Sequence, residues 1–181
     1  LDIILFVVDG RVGVTFEDKE IFQVCRRLNK PIILVVNKVE TSVIEKRFFE
    51  EDINFFGLPN IIFVSSEHRL GIEKVFTALE EICQENQLES IVKEQSNTEK
   101  KPINIAIIGR PNVGKSTLVN AIIKEKRFVT GPEAGLTRDS NFVFFYWDND
   151  FFKIYDTAGA RKKRKIDNSL EKESVKETLR A

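Results

Sequence analysis

The chain has 181 residues, of which 42% are hydrophobic and 31% charged, enough to form one good core or two small ones. Basic and acidic side chains are equal in number, so the global charge indicates neither a nucleic-acid nor a membrane partner. The two cysteines lack the spacing of a metal site or a disulfide framework, which suits the cytoplasm, and no apolar run is long enough to span a bilayer. Because the chain has no Met and begins inside an apolar strand, we expect it to be a piece of a longer protein.

Residues 1–84, here called the first segment, alternate between apolar strand-like runs and amphipathic helices. The apolar runs predict strands at residues 1–8, 31–36 and 61–64, and helical periodicity predicts helices at 17–28, 43–54 and 71–84. This alternation predicts a parallel, doubly wound α/β sheet, which binds ligands at the carboxyl ends of its strands. Asp9, Asn37 and Ser65 stand at three such ends.

A polar stretch of mixed charge, residues 85–102, is predicted to be a linker. It leads to residues 103–181, the second segment. Here the patterns predict a strand at 103–108, a helix at 115–124, a loop at 128–139, a hairpin of strands at 141–147 and 151–155, and an exposed helix at 167–181.

The strongest motif is G-R-P-N-V-G-K-S at residues 109–116, which fits the phosphate-binding P-loop between a buried strand and a helix. Its glycines let successive N–H groups face phosphate oxygens, and the helix N-terminus favours an anion. Lys115 is predicted to reach the β- and γ-phosphates, and the Ser116 hydroxyl to hold Mg²⁺. The predicted phosphate-binding residues are Gly109, Asn112, Val113, Gly114, Lys115, Ser116 and Thr117.

Two further stretches are predicted to respond to the nucleotide as switches. Asp156, Thr157, Ala158 and Gly159 end a strand about forty residues past the P-loop, where an Asp can complete the magnesium shell and a glycine N–H can sense a γ-phosphate. Thr137, in the loop between, is the candidate second protein ligand of Mg²⁺. The predicted magnesium ligands are therefore Ser116, Thr137 and Asp156.

A base-recognition element is predicted at the end of the second strand, in Asn37-Lys38-Val39-Glu40. In Asn-Lys-x-Asp the Asp accepts hydrogen bonds from N1–H and the exocyclic amine of guanine. Glu40 keeps the carboxylate but adds one methylene, which puts guanine affinity in question. Ser65 and Ser66 follow the third strand and are predicted to supply a backbone N–H to the guanine carbonyl.

The order of these elements is unusual, because base recognition precedes phosphate binding along the chain. Two explanations are open: the tail of one G domain joined to the head of another, or a circularly permuted GTPase. The two segments together hold one complete set of elements. We therefore consider that they dock as one pseudo-permuted domain, with Asn37, Lys38 and Glu40 facing the phosphates held by Lys115; the alternative is two incomplete halves with exposed sheet edges.

The sequence resembles the Der (EngA) family of bacterial tandem-G-domain GTPases over essentially all its residues. The resemblance rests on V-V-D-G-R at 7–11, I-L-V-V-N-K at 33–38, the P-loop with its helix, T-R-D-S at 137–140 and D-T-A-G with its basic run at 156–163. It implies two partial P-loop NTPase domains: residues 1–84 as the C-terminal half of the first G domain and 103–181 as the N-terminal half of the second. Glu40, Ser66 and Leu136 depart from the family pattern.

The resemblance also implies a function, binding and hydrolysis of GTP in assembly of the large ribosomal subunit. It implies GTP or GDP with Mg²⁺ as cofactors, and K⁺ held by Asn112. The implied partners are the large ribosomal subunit and ribosomal RNA, and no membrane contact is implied. The resemblance further implies a cytoplasmic protein that is monomeric at full length. The alternatives are a nucleotide-dependent RNA-binding module with little turnover, using the basic run at 161–165, and a circularly permuted assembly GTPase.

Overall fold

Six strands and four α-helices make up the part of the chain that the computed structural model describes, residues 1–51, 53–88, 101–125, 142–147 and 150–156. The strands are β1 (Ile3–Asp9), β2 (Ile32–Asn37), β3 (Ile61–Phe63), β4 (Ile103–Ile108), β5 (Phe142–Trp147) and β6 (Asp150–Asp156). The helices are α1 (Phe16–Arg26), α2 (Ser42–Glu51), α3 (Ile72–Glu85) and α4 (Lys115–Lys124). The loop predicted at 128–139 and the helix predicted at 167–181 lie outside the described residues.

All six strands belong to one sheet, in the order β3-β2-β1-β4-β6-β5. Every pair is parallel except β5 with β6, which is antiparallel at one edge. The two segments meet where β1 pairs with β4, with residues 3–6 opposite 105–108. At the start of this junction the N–H of Asp2 donates to the carbonyl of Asn104 at 2.9 Å, and the Asp2 carboxylate accepts from the Asn104 N–H at 2.8 Å. This is the arrangement expected if the segments dock.

The sheet has a hydrophobic core on each face, because successive side chains of a strand point to opposite sides. All seven residues of β1 are buried, which is typical of a central parallel strand. Ile3, Leu5 and Val7 belong to the core that includes residues of α3 and α4. Ile4, Phe6 and Val8 belong to the core that includes residues of α1, with Phe48 and Phe56.

The first segment departs from the predicted pattern at several helix ends, and for two of them the structure shows the cause. The capping box at Thr15 lets α1 begin at Phe16, because the Thr15 hydroxyl accepts from the Asp18 N–H while the Asp18 carboxylate accepts from the Thr15 N–H. Helix α2 ends at Glu51 rather than near residue 54, and a 3-10 turn follows at Ile53–Phe55. Beyond that turn, Phe56 is buried edge-on against Phe22 with ring centroids 4.8 Å apart, so tertiary packing overrides the local helical pattern.

Candidate nucleotide-binding site

The P-loop follows β4 and is pressed against the first segment. A Cβ at Gly109 would collide with the carbonyl oxygen of Val7 in β1. At Gly114 the backbone is left-handed (φ 96°), and a Cβ would collide with the side-chain nitrogen of Asn37. Glycine is therefore required at both positions by the contact between the segments, as well as by the turn itself.

Helix α4 begins directly after the loop with the features of an anion site. Gly114, its N-cap, has no side chain that could cap the first turn, and a helix N-terminus favours an anion. Lys115 is buried, and its ammonium group donates to the carbonyl oxygens of Gly109 and Arg110, the latter at 2.7 Å. The exposed residues Ser116 and Thr117 complete the first turn. One turn of helix thus presents amide donors, a cation and hydroxyl groups together.

The end of β2 contacts the P-loop. The Asn37 side-chain amide donates to the carbonyl oxygen of Val113 at 2.8 Å. The Lys38 ammonium donates to the carbonyl oxygen of Asn112 at 2.7 Å and forms an ion pair with Asp9 at the same distance. Asn37 and Lys38, both predicted for base recognition, are therefore joined to the loop after β4 by two hydrogen bonds that cross between the segments.

The loop after β3 is attached to the same asparagine. The backbone N–H of Ser66 donates to Asn37 Oδ1 at 3.0 Å, and both residues are buried. Asn37 therefore links the loop after β3 to the P-loop through the two ends of one amide group. The Ser65 hydroxyl donates to Glu40 Oε1 at 3.2 Å, which brings the remaining base-recognition residues into contact.

Glu40 forms a two-pronged ion pair with Arg11, a residue of the V-V-D-G-R motif for which no site role was predicted. Arg11 Nε lies 3.1 Å from Oε2, and an Arg11 terminal nitrogen lies 3.0 Å from Oε1. Partial burial acts to raise the pKa of Glu40, but the hydrogen bond and charge of Arg11, with the hydrogen bond from Ser65, outweigh it and lower that pKa. The carboxylate thus stays ionised and takes part in hydrogen bonds only as an acceptor.

The ion pair of Arg110 with Asp18, unlike that of Arg11 with Glu40, crosses between the segments. Arg110 Nε lies 3.1 Å from Asp18 Oδ2, and the Asp18 side chain is completely buried while that of Arg110 is 18% exposed. The same carboxylate oxygen accepts from the Thr15 hydroxyl at 2.7 Å. Among the described residues, Asp18 Oδ1 and one terminal nitrogen of Arg110 make no hydrogen bond. The P-loop is therefore tied to the N-terminus of α1 as well as to the end of β2.

The predicted magnesium ligands are only partly within the described residues. Asp156 ends β6 in register with Ile107, two residues before the P-loop, and Ser116 begins the turn that follows it. Both belong to the P-loop end of the sheet, and carboxylate and hydroxyl oxygens suit Mg²⁺. Thr137, Thr157, Ala158 and Gly159 lie outside the described residues. Asn112, the residue assigned to K⁺ by resemblance, is exposed with a left-handed backbone (φ 64°).

Asp9 and Asp18 contact residues of the candidate site, although no specific role was predicted for either of them. The Asp9 carboxylate pairs with Lys38 and accepts from the Arg11 N–H at 2.9 Å; its place at a strand end was the available signal. Asp18 was detectable as part of a Thr-x-x-Asp capping pattern. No local signal pairs it with Arg110, which is 92 positions away.

Comparisons with known proteins agree with the motifs. Residues 104–181 match the family described as 50S ribosome-binding GTPase. GTPase Der of Nitrobacter hamburgensis is 41% identical over 186 aligned residues, and GTPase Der of Bartonella tribocorum is 40% identical over 201. Each alignment covers 99% of this chain, and 40% and 42% of the two relatives, so the chain spans about two fifths of their length.

Among solved structures, YjeQ from Thermotoga maritima has a TM-score of 0.48 and 20% sequence identity, covering 86% of this chain and 47% of that one. Within the described residues, no helix combines the length and apolarity needed to cross a bilayer. The same residues contain no group of three or more His, Cys, Asp or Glu side chains arranged for a metal ion. The resemblance predicted from the motifs is confirmed by the alignments: along nearly its whole length the chain is similar to GTPase Der, and it has the α/β fold of a P-loop GTPase.

Proposed function

We propose that this chain binds a guanine nucleotide where its two segments meet, and that the longer protein hydrolyses GTP during assembly of the large ribosomal subunit. The similarity to GTPase Der and to the 50S ribosome-binding GTPase family supports both parts. The proposed partners are the large subunit and its RNA. A cytoplasmic location and a monomeric state belong to the same proposal.

One observation carries the proposal for the nucleotide site: Asn37 and the P-loop are in direct contact although they are 76 positions apart. A nucleotide needs its phosphates and its base to be recognised at two places a fixed distance apart. The hydrogen bonds from Asn37 and Lys38 to the P-loop carbonyls supply such a fixed connection between the two elements. A P-loop alone would bind phosphates without selecting the base.

In the proposed complex, Lys115 and the amide groups at the start of α4 bind the phosphates. Ser116, Thr137 and Asp156 are the proposed holders of Mg²⁺, which would offset charge on the β- and γ-phosphates. Asn112 is the proposed contact for K⁺. Glu40 is the proposed acceptor for the guanine edge. The Ser66 N–H is the proposed donor to the guanine carbonyl, and it would have to share or exchange its present bond to Asn37 Oδ1. The assignment of residues 1–84 and 103–181 to successive G domains of the longer protein is part of this proposal.

The test is titration of the 181-residue chain with a fluorescent GTP analogue, with GTP or ATP as competitor, in potassium and then in sodium. We expect GTP to compete far better than ATP, with stronger binding in potassium. Lys115→Met should abolish binding. Lys124→Met is the matched control, because it removes the same charge from the exposed last turn of α4. Equal competition by ATP and GTP would refute the joint site.

A further inference from the structure

Arg11 and Glu40 face each other as two parallel donors and two acceptors. Arg11 Nε and one terminal nitrogen each meet a different oxygen of Glu40, at 3.1 and 3.0 Å. The two-pronged geometry is the strong form of an arginine–carboxylate contact. It occupies both oxygens of the carboxylate along one edge.

The guanine edge presents the same donor pattern. Its N1–H and exocyclic amine are parallel, neighbouring donors, as are Nε–H and a terminal N–H of a guanidinium group. The guanine edge and the guanidinium group can therefore each donate two hydrogen bonds to the same edge of a carboxylate. The Ser65 hydroxyl also donates to Glu40 Oε1, at 3.2 Å. Fewer acceptor positions on this oxygen therefore remain for an incoming base.

The backbone on either side of this pair is held in place. The Arg11 N–H donates to Asp9, and the carbonyl oxygens of Gly10 and Arg11 both accept from Arg47 at 2.7 Å. Next to Glu40, the N–H of Val39 donates to the carbonyl of Val64 at 3.0 Å. The Arg11 side chain itself is 54% exposed, so it can move into solvent while its backbone stays fixed.

We propose that Arg11 limits the preference for guanine over adenine by competing with guanine for the carboxylate of Glu40. This inference rests on the proposed function, since it assumes that Glu40 faces the base. Guanine binding then requires the guanidinium group to leave Glu40, whereas binding of adenine, which lacks the paired donors, gains nothing from its departure. The extra methylene of Glu relative to Asp is what carries the carboxylate out to Arg11.

The experiment compares affinities of the 181-residue chain for GDP, inosine diphosphate and ADP. Arg11→Ala should raise the ratio of GDP to ADP affinity roughly two- to fivefold, the range expected for loss of an exposed ion pair. The gain for inosine diphosphate should be smaller, because its base lacks the exocyclic amine. Glu40→Asp should act in the same direction, since it withdraws the carboxylate from Arg11. Arg27→Ala, at an exposed position, is the matched control and should leave the ratio unchanged.

Salt provides a second measurement. Raising the potassium chloride concentration screens the Arg11–Glu40 pair, so the ratio of GDP to ADP affinity should rise in the unmodified chain and stay constant in Arg11→Ala. Phosphate contacts are common to both nucleotides and cancel in the ratio.

The outcomes separate the inference from the proposed function. Suppose that the unmodified chain prefers GDP and that Glu40→Gln loses this preference, but that Arg11→Ala leaves it unchanged or weaker. Arg11 then orients Glu40 instead of competing for it, and only the inference is overturned. If the unmodified chain does not prefer GDP to ADP, the proposed guanine site is refuted and the inference with it.

Discussion

The ion pair between Arg110 and Asp18 offers a direct test of how the two segments are joined. Arg110 belongs to the P-loop, Asp18 to the first turn of α1, and their contact measures 3.1 Å. Replacing Arg110 with Met removes the charge while keeping a flexible apolar side chain of similar reach. The carboxylate of Asp18, which is completely buried, then loses its cationic partner.

The expected cost follows from this burial. Removing one member of a buried pair typically costs about 3–5 kcal/mol, because the other charge remains without a partner. We expect the lower end for Arg110→Met, about 3 kcal/mol, because Asp18 retains hydrogen bonds from the Thr15 N–H and hydroxyl. Asp18→Asn should cost less, since Arg110 is 18% exposed and can turn toward water. The double variant should lose less than the two single losses combined, by about 2 kcal/mol.

Urea denaturation followed by Trp147 fluorescence is the appropriate assay. Trp147 of β5 stacks on Phe76 of α3 with ring centroids 3.9 Å apart, so its emission reports contact between the segments. Lys46→Met, which removes an exposed helix pair with Glu50, is the control and should cost no more than about 0.5 kcal/mol. A loss below about 1 kcal/mol for Arg110→Met, or strictly additive losses in the double variant, would contradict the buried pair.

Three other variants test separate parts of the structure. Gly109→Ala should destabilise the fold by about 1–3 kcal/mol and weaken nucleotide binding, because its Cβ meets the Val7 carbonyl; unchanged urea midpoints would contradict this close approach. Asn37→Ala should cost about 2–3 kcal/mol in the same assay, because the Val113 carbonyl and the N–H of the loop after β3 lose their partner; a stability equal to that of the parent would show that water replaces the amide. Burial raises the pKa of Cys25 from 9.0 to about 12, so the folded state keeps a proton that the unfolded state releases. The free energy of unfolding should therefore be unaffected by this thiol below pH 9 and fall by about 1.4 kcal/mol per pH unit above it, a component absent in Cys25→Ala; parallel pH profiles for the two proteins would rule this out.

The elements of the fold were largely predictable because their signals are local. The strands β1, β2 and β4 are continuous apolar runs, and the P-loop was located by its motif between a strand and a helix. Helix α2 ended early because Phe56 packs against Phe22, a tertiary contact that periodicity does not contain. Local signals therefore predicted which elements exist better than where they end.

The sequence predicted which residues form the candidate site, but not the contacts between them. Asn37 and Lys38 were identified by type and position, and the structure adds their bonds to the P-loop carbonyls. The partners Arg11 and Asp18 were missed because an ion pair depends on which loops face each other after packing. The ligand-binding roles of all the site residues remain predictions, and Thr137 and Thr157 also lie outside the described residues.

The pairing of β1 with β4 has a kinetic consequence. Its partners, Ile3 and Ile105 among them, are about a hundred residues apart, and the entropy lost on closing such a loop grows with the logarithm of its length. By contrast, β1 pairs with β2, and β2 with β3, between residues fewer than thirty positions apart. During refolding, the first segment should therefore gain structure before β4 joins it, and the stacking of Trp147 on Phe76 should be among the last contacts to form.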